Sequence, residues 1–124
     1  MRMLIRNHKF TMPVARGTFQ ITFGNFTGVF NVEGFQVIVD GRLTETHISV
    51  NVPNAEFEYT DMRYILGPFT VTSPPSFVGI DTIYVELINP HEKLIVVGRI
   101  QGGLDQRYHV SGSGTLSLRQ KGED

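Results

Sequence analysis

The 124-residue chain has no cysteine, no tryptophan and no long apolar run. The absence of cysteine excludes disulfides, thiolate metal sites and thiol nucleophiles, and it is consistent with a cytoplasmic protein. The longest apolar runs, such as residues 94–98, are far below the ~20 residues of a membrane-spanning helix, so we expect no membrane partner. The N-terminal MRMLIRNHKF is interrupted by charge before any cleavage site, so we expect no signal peptide.

The chain also has no large excess of positive or negative charge. The 11 Lys and Arg residues stand against 12 Asp and Glu residues, giving a formal net charge of −1, and like charges do not cluster. This balance predicts no nucleic-acid partner.

Turn-forming residues are frequent in the chain. Its 13 glycines and 6 prolines separate short apolar runs. This pattern predicts a single all-β antiparallel domain over residues 1–119, with about eight to ten short strands, and a flexible tail over residues 120–124. A small, calycin-like barrel is favoured over a two-sheet sandwich. The predicted strands are residues 3–10, 18–23, 27–32, 35–39, 42–52, 55–60, 69–72, 80–88, 93–101 and 106–119.

The closing segment, residues 107–119, alternates apolar and polar residues without a break, which indicates a strand with one apolar face. Gly112 and Gly114 both fall on the apolar side. Their missing side chains predict either an internal cavity or the close approach of another backbone.

The dipeptide Asp40-Gly41 predicts a type I′ hairpin turn, because both residues tolerate the positive φ that this turn requires. That turn fixes which side chains share each face. The core face would carry Phe35, Val37, Val39, Thr44, Thr46, Ile48, Val50 and Val52. The opposite face would carry Gln36, Ile38, Leu43, Glu45, His47, Ser49 and Asn51.

A second hairpin is predicted around residues 89–93, where a proline and polar residues separate two apolar arms. Both arms are apolar on both faces, which indicates strands that are covered on both sides. One face would join the core. The other, with Tyr84, Ile88, Ile95 and Val97, is the predicted homo-oligomer interface.

Residues 54–66 permit either a strand or a helix capped by Asn54. The strand interpretation is favoured because a helix would scatter Phe57 and Tyr64 to the opposite face. If the domain contains a short helix, we expect it in this segment.

Few residues suggest catalysis or metal binding. The four histidines, 8, 47, 91 and 109, lack metal-ligand spacing, so no metal or cofactor is predicted. Glu45 beside His47 is a weak candidate for an acid/base pair, but a solvated outer face is the favoured interpretation, because no nucleophile or oxyanion donor is evident nearby. Glu56 and Glu58 form a second carboxylate pair, for which an exposed strand face is again the simpler interpretation.

Three functions are compatible with these patterns. The first is a non-enzymatic, lipocalin-like barrel holding a small apolar ligand in its interior, although the tryptophan common near the first strand of such carriers is absent. The second is an oligomeric assembly module of β-sandwich type. The third is a small enzyme using Glu45 and His47. The ligand-binding residues predicted for the carrier are Tyr59, Arg99, Tyr108, Gly112 and Gly114, with Phe19, Ile21 and Phe23 as further lining.

Overall fold

The computed structural model describes residues 12–46, 48–73, 81–100 and 109–120. These residues form a closed eight-stranded barrel with strand order β1-β2-β3-β8-β5-β6-β7-β4, in which all neighbours are antiparallel. The predicted small barrel is thus confirmed. The strands are β1 (Val14–Thr22), β2 (Asn25–Val32), β3 (Phe35–Thr46), β4 (Val50–Glu58), β5 (Gly67–Thr72), β6 (Thr82–Ile88), β7 (Lys93–Arg99) and β8 (Val110–Gln120).

The one helix in the described part of the chain is α1 (Met62–Ile65), which is far too short to cross a membrane. Asp61 caps it, because its side chain accepts a hydrogen bond from the backbone N–H of Arg63 at 2.9 Å. Buried Ile65 anchors the turn to the core. Residues 54–66 therefore contain both a strand and a short helix, as expected, but Asn54 lies inside β4 and caps nothing.

The first two hairpin turns lie on either side of β2. Thr22 pairs with Asn25 around Phe23-Gly24, and Val32 pairs with Phe35 around the second turn. In that second turn Glu33 and Gly34 have φ of 52° and 88°, the two positive values that a type I′ turn requires.

The predicted hairpin at Asp40-Gly41 is wrong, because β3 runs unbroken through both residues. Hydrogen-bonded pairing with β2 on one side and β8 on the other outweighs the local turn preference. Gly41 faces inward instead, where an added Cβ would lie 3.4 Å from the ring of Phe69. Without a turn the alternation continues, so Leu43 is buried and Thr44 is exposed, the reverse of the predicted faces.

The predicted single strand over residues 42–52 is also wrong. The register against β8 shifts between Leu43 and Glu45, β3 ends at Thr46, and β4 begins only at Val50. Ile48 and Val52 are nevertheless buried, as expected. Because Glu45 and Asn51 belong to different strands, they do not form one continuous polar face.

The barrel interior is filled by aromatic side chains that are at most 3% exposed. Neighbouring rings meet edge to face, an arrangement that favours tight packing. The ring pairs are Phe19–Phe26 at 5.3 Å, Phe26–Phe69 at 6.5 Å, Phe30–Phe57 at 5.0 Å and Phe57–Tyr59 at 6.2 Å between centroids.

Inward-facing glycines let neighbouring backbones approach closely. A Cβ on Gly112 would lie 2.8 Å from the Cα of Leu43, and one on Gly114 would lie 2.9 Å from the carbonyl carbon of Asp40. Both distances are too short for a real side chain. The space beside the two glycines is therefore occupied by the backbone of β3.

We expect Gly114→Ala to destabilise the barrel by about 1–3 kcal/mol, because the new methyl group must displace the β3 backbone. The matched control is Ser113→Ala, which changes an exposed residue on the same strand and should alter stability by less than about 0.5 kcal/mol. Urea unfolding followed by circular dichroism measures both. Equal unfolding free energies for the two variants would contradict the close approach of β3 and β8.

Candidate functional site

The outer face of the β6–β7 hairpin carries the residues predicted as an oligomer interface. Inward residues Ile83, Val85, Leu87, Leu94 and Val96 are buried in the core. On the outer side Tyr84 pairs with Val97, and Ile88 and Ile95 lie on the same side of the two strands. Ile88, Ile95 and Val97 are 40%, 44% and 39% exposed. We name Tyr84, Ile88, Ile95 and Val97 the hairpin face.

Two ion pairs lie on the same outer side as the hairpin face. Lys93 Nζ lies 3.9 Å from Glu86 Oε1, and Glu86 pairs directly with Ile95 in the middle of the face. Arg99 Nη2 lies 3.0 Å from Asp81 Oδ2 at the end away from the β6–β7 turn. Arg99, a predicted ligand-binding residue, thus points outward and binds Asp81.

The turn between β6 and β7 is held against α1. Asn89 Oδ1 accepts hydrogen bonds from the backbone N–H groups of His91 at 2.7 Å and Glu92 at 2.9 Å, and Asn89 Nδ2 donates to the carbonyl of Tyr64 at 3.0 Å. The ring of Tyr64 stacks on His91 with 5.2 Å between centroids. These contacts restrain the hairpin face in one orientation.

Tyr59, another predicted ligand-binding residue, is 1% exposed and is already bonded within the protein. Its hydroxyl donates to Glu33 Oε2 at 2.8 Å, which joins β4 to the β2–β3 turn. Burial, with the hydrogen bond and the negative charge of Glu33, raises the pKa of Tyr59 to about 12. The phenol therefore holds its proton at neutral pH and ties two strands together.

The remaining predicted carrier residues do not line a common cavity in the described part of the chain. Gly112 and Gly114 face the β3 backbone, Phe19 and Ile21 are packed in the core, and Phe23 is 79% exposed in the β1–β2 turn, so the prediction that it lines the interior is wrong. Tyr108 lies outside the described residues. Whether any of the predicted binding residues contacts a ligand stays a prediction.

The candidate acid/base residues are described only in part. His47 and the side chain of Glu45 lie outside the described residues. Glu56 forms an exposed ion pair, with Arg16 Nε 3.4 Å from its Oε1. Asp61 is bound by Arg63, whose hydrogen bonds lower the pKa of Asp61 to about 2. Among the described residues no three His, Asp or Glu side chains converge on a metal site.

A groove of about 1120 Å³ lies on the outside of β4, β1, β2 and β3 and is open to solvent. The sequence alone does not predict this groove, because the residues that line it come from separate strands. Four of its polar side chains are directly paired across neighbouring strands: Asn51 with Gln20, Gln20 with Thr27, and Thr27 with Asp40. We name Asn51, Gln20, Thr27 and Asp40 the polar row.

Apolar residues flank the polar row. Val29 and Ile38 pair with each other, two residues along their strands from the Thr27–Asp40 pair, and both are half-buried in the groove. Pro53 of β4 also lines the groove. The groove therefore combines hydrogen-bonding groups with a small apolar surface. No known protein family, curated protein or solved structure shows detectable similarity to this chain.

We expect the free energy of unfolding to fall as the pH rises between the ordinary tyrosine pKa of 10.0 and about 12. The unfolded chain releases the Tyr59 proton at a lower pH than the folded protein does, so the stabilisation is complete below pH 10.0 and is lost as the pH passes the folded-state pKa.

Urea unfolding at a series of pH values measures this dependence. Tyr59→Phe should weaken it and cost about 0.5–1.5 kcal/mol at neutral pH through loss of the hydrogen bond to Glu33. Tyr64→Phe is the control, since that side chain is 44% exposed. An unchanged pH dependence in Tyr59→Phe would contradict this assignment.

Proposed function

We propose that the protein is a non-catalytic assembly module that associates with a second copy of itself through the hairpin face. The observation that carries the proposal is the group of outward apolar side chains on β6 and β7. The outward face of β8, by comparison, is polar and carries Ser111, Ser113, Thr115 and Ser117. Of the six large apolar side chains that are exposed in the described part of the chain, Ile88, Ile95 and Val97 lie together on this face of β6 and β7. Apolar side chains clustered in this way favour contact with another protein surface.

The dimensions of the hairpin face indicate a reversible dimer. Two strands of seven residues each extend over about 23 Å. A face of that length and two strands wide is smaller than the ~800 Å² per partner of a standard interface. We therefore expect monomer and dimer to exchange with protein concentration.

Charge favours a second copy over a strongly charged partner. Glu86 with Lys93, and Asp81 with Arg99, give the outer side of the hairpin two cations and two anions. In a two-fold dimer the same patch meets itself, so a cation of one copy can approach an anion of the other. An acidic or basic partner would leave half of these charges without complementary contacts.

The packed aromatic interior weighs against the carrier hypothesis. A small apolar ligand inside the barrel would have to displace rings that already contact each other, such as Phe30 and Phe57. Displacing these rings would remove their packing contacts, and the ligand's own contacts would have to compensate for that loss. The carrier and the acid/base enzyme stay alternative predictions, and the described geometry supports them less well than it supports assembly.

Ile95→Lys tests the proposal, because it places a charge at the centre of the hairpin face without changing a buried residue. We expect wild-type protein to dimerise reversibly in sedimentation equilibrium, and the variant to dimerise at least about tenfold more weakly. Unchanged thermal melting would show that the variant still folds.

The matched control is Ser117→Lys, which adds the same charge to an exposed position on β8. It should dimerise like the wild type. Wild-type protein that stays monomeric throughout the concentration series, or equal weakening by both substitutions, would contradict assembly through the hairpin face.

A further inference from the structure

The side chains of the polar row have no bonding partner within the described part of the protein. Other outward residues, such as Ser113 and Thr115 of β8, share this property, but the polar row also lines the groove. None of its four side chains makes a hydrogen bond or ion pair within the described residues, although each lies beside another polar side chain on the next strand. By contrast, Thr44 donates to the carbonyl of Ser111 at 3.1 Å, and Arg119 donates to Gln36 at 2.6 Å. The donors and acceptors of the polar row are therefore available to a ligand.

The polar row is also periodic. Its members lie on β4, β1, β2 and β3, and Thr115 of β8 continues the line beside Asp40. Neighbouring strands are about 4.8 Å apart, so hydrogen-bonding groups repeat at that interval across the sheet. This interval is close to the length of one sugar ring, so a chain of rings lying across the strands would place one ring near each side chain.

The side-chain types match hydroxyl groups. Asn51 and Gln20 each offer amide donors and an acceptor, Asp40 offers two acceptor oxygens, and Thr27 offers a hydroxyl that both donates and accepts. Adjacent hydroxyls on one ring can bond to both atoms of a planar amide or carboxylate. Val29 and Ile38 supply an apolar surface for the C–H groups of a ring.

Other ligand classes fit the groove less well. The one charged residue among its described lining residues is Asp40, so nucleic acids and other anionic ligands would be repelled. Peptides commonly bind by adding a strand to an open sheet edge, whereas β1, β2 and β3 are each paired on both sides in the closed barrel. Binding must therefore use side chains, and the side chains present are suited to neutral hydroxyl groups.

We propose that the groove over β1, β2 and β3 binds a neutral, linear oligosaccharide that lies across the strands along the polar row. The groove is open to solvent and extends across four neighbouring strands, so it leaves room for a ligand of several rings. This site is separate from the hairpin face, so it does not depend on dimerisation.

Nitrogen-15 NMR titration of the full chain tests the site with three neutral probes at millimolar concentration: maltohexaose, cellohexaose and chitohexaose. We expect at least one of them to shift backbone amide signals of β1, β2 and β3. Hexagalacturonate, which repeats the polyhydroxyl chain with added carboxylates, should cause smaller shifts because Asp40 repels it. Ile95→Lys, which alters only the hairpin face, should bind as the wild type does.

Matched variants assign the contact. Gln20→Ala and Asn51→Ala should each weaken binding about three- to tenfold, through the loss of one or two hydrogen bonds. Thr70→Ala, an exposed change on β5 outside the groove, should bind as the wild type does.

Three results would overturn the proposal. They are no shifts with any of the three neutral probes, stronger binding of hexagalacturonate, or shifts that Gln20→Ala and Asn51→Ala leave unchanged. Shifts caused by a mixed hexapeptide library but by no sugar would likewise assign the groove to peptides instead.

Discussion

The close approach of neighbouring backbones at inward-facing glycines is the constraint on which the rest of the barrel depends. At Gly17 and Gly28 between β1 and β2, and at Gly112 and Gly114 between β3 and β8, a side chain would collide with the adjacent strand. Glycine at these positions allows strands to curve strongly and a small barrel to close. Closure in turn removes exposed sheet edges.

A small closed barrel has consequences for where function can lie. Aromatic rings packed edge to face occupy the described part of its interior. The hydrogen bond from Tyr59 to Glu33 joins the end of β4 to the β2–β3 turn. The two features that we propose for binding both lie on the outside: the hairpin face and the groove over β1, β2 and β3.

Much of the fold could be predicted from the sequence where the decisive interactions are local. Strict alternation in β8 and the proline-containing turn before β7 each identify a strand or hairpin from adjacent residues. Alternation also indicated that Tyr84, Ile88, Ile95 and Val97 share one face, and they do lie together on the outside. Whether that face binds a second copy stays a prediction. The alternation indicates which side chains point outward, but it does not indicate what binds them.

The remaining features depend on contacts between distant residues. Asp40-Gly41 has the composition of a turn, but the pairing of β3 with β2 and β8 and the ring of Phe69 over Gly41 keep the strand straight there. The polar row could not be predicted either, since Asn51, Gln20, Thr27 and Asp40 become neighbours only through the strand order and register of the barrel. For Gly112 and Gly114 the alternation predicted a cavity or a close backbone, and the structure shows the backbone.

Native mass spectrometry of the purified protein at high micromolar concentration tests most directly whether the barrel binds partners through its outer surface and not in its interior. It reports subunit number and retained small molecules in one spectrum. The account predicts a population of dimers, in exchange with monomers, without an apolar adduct. A monomer that retains a small apolar molecule would contradict it, and would show that the aromatic interior opens to hold a ligand.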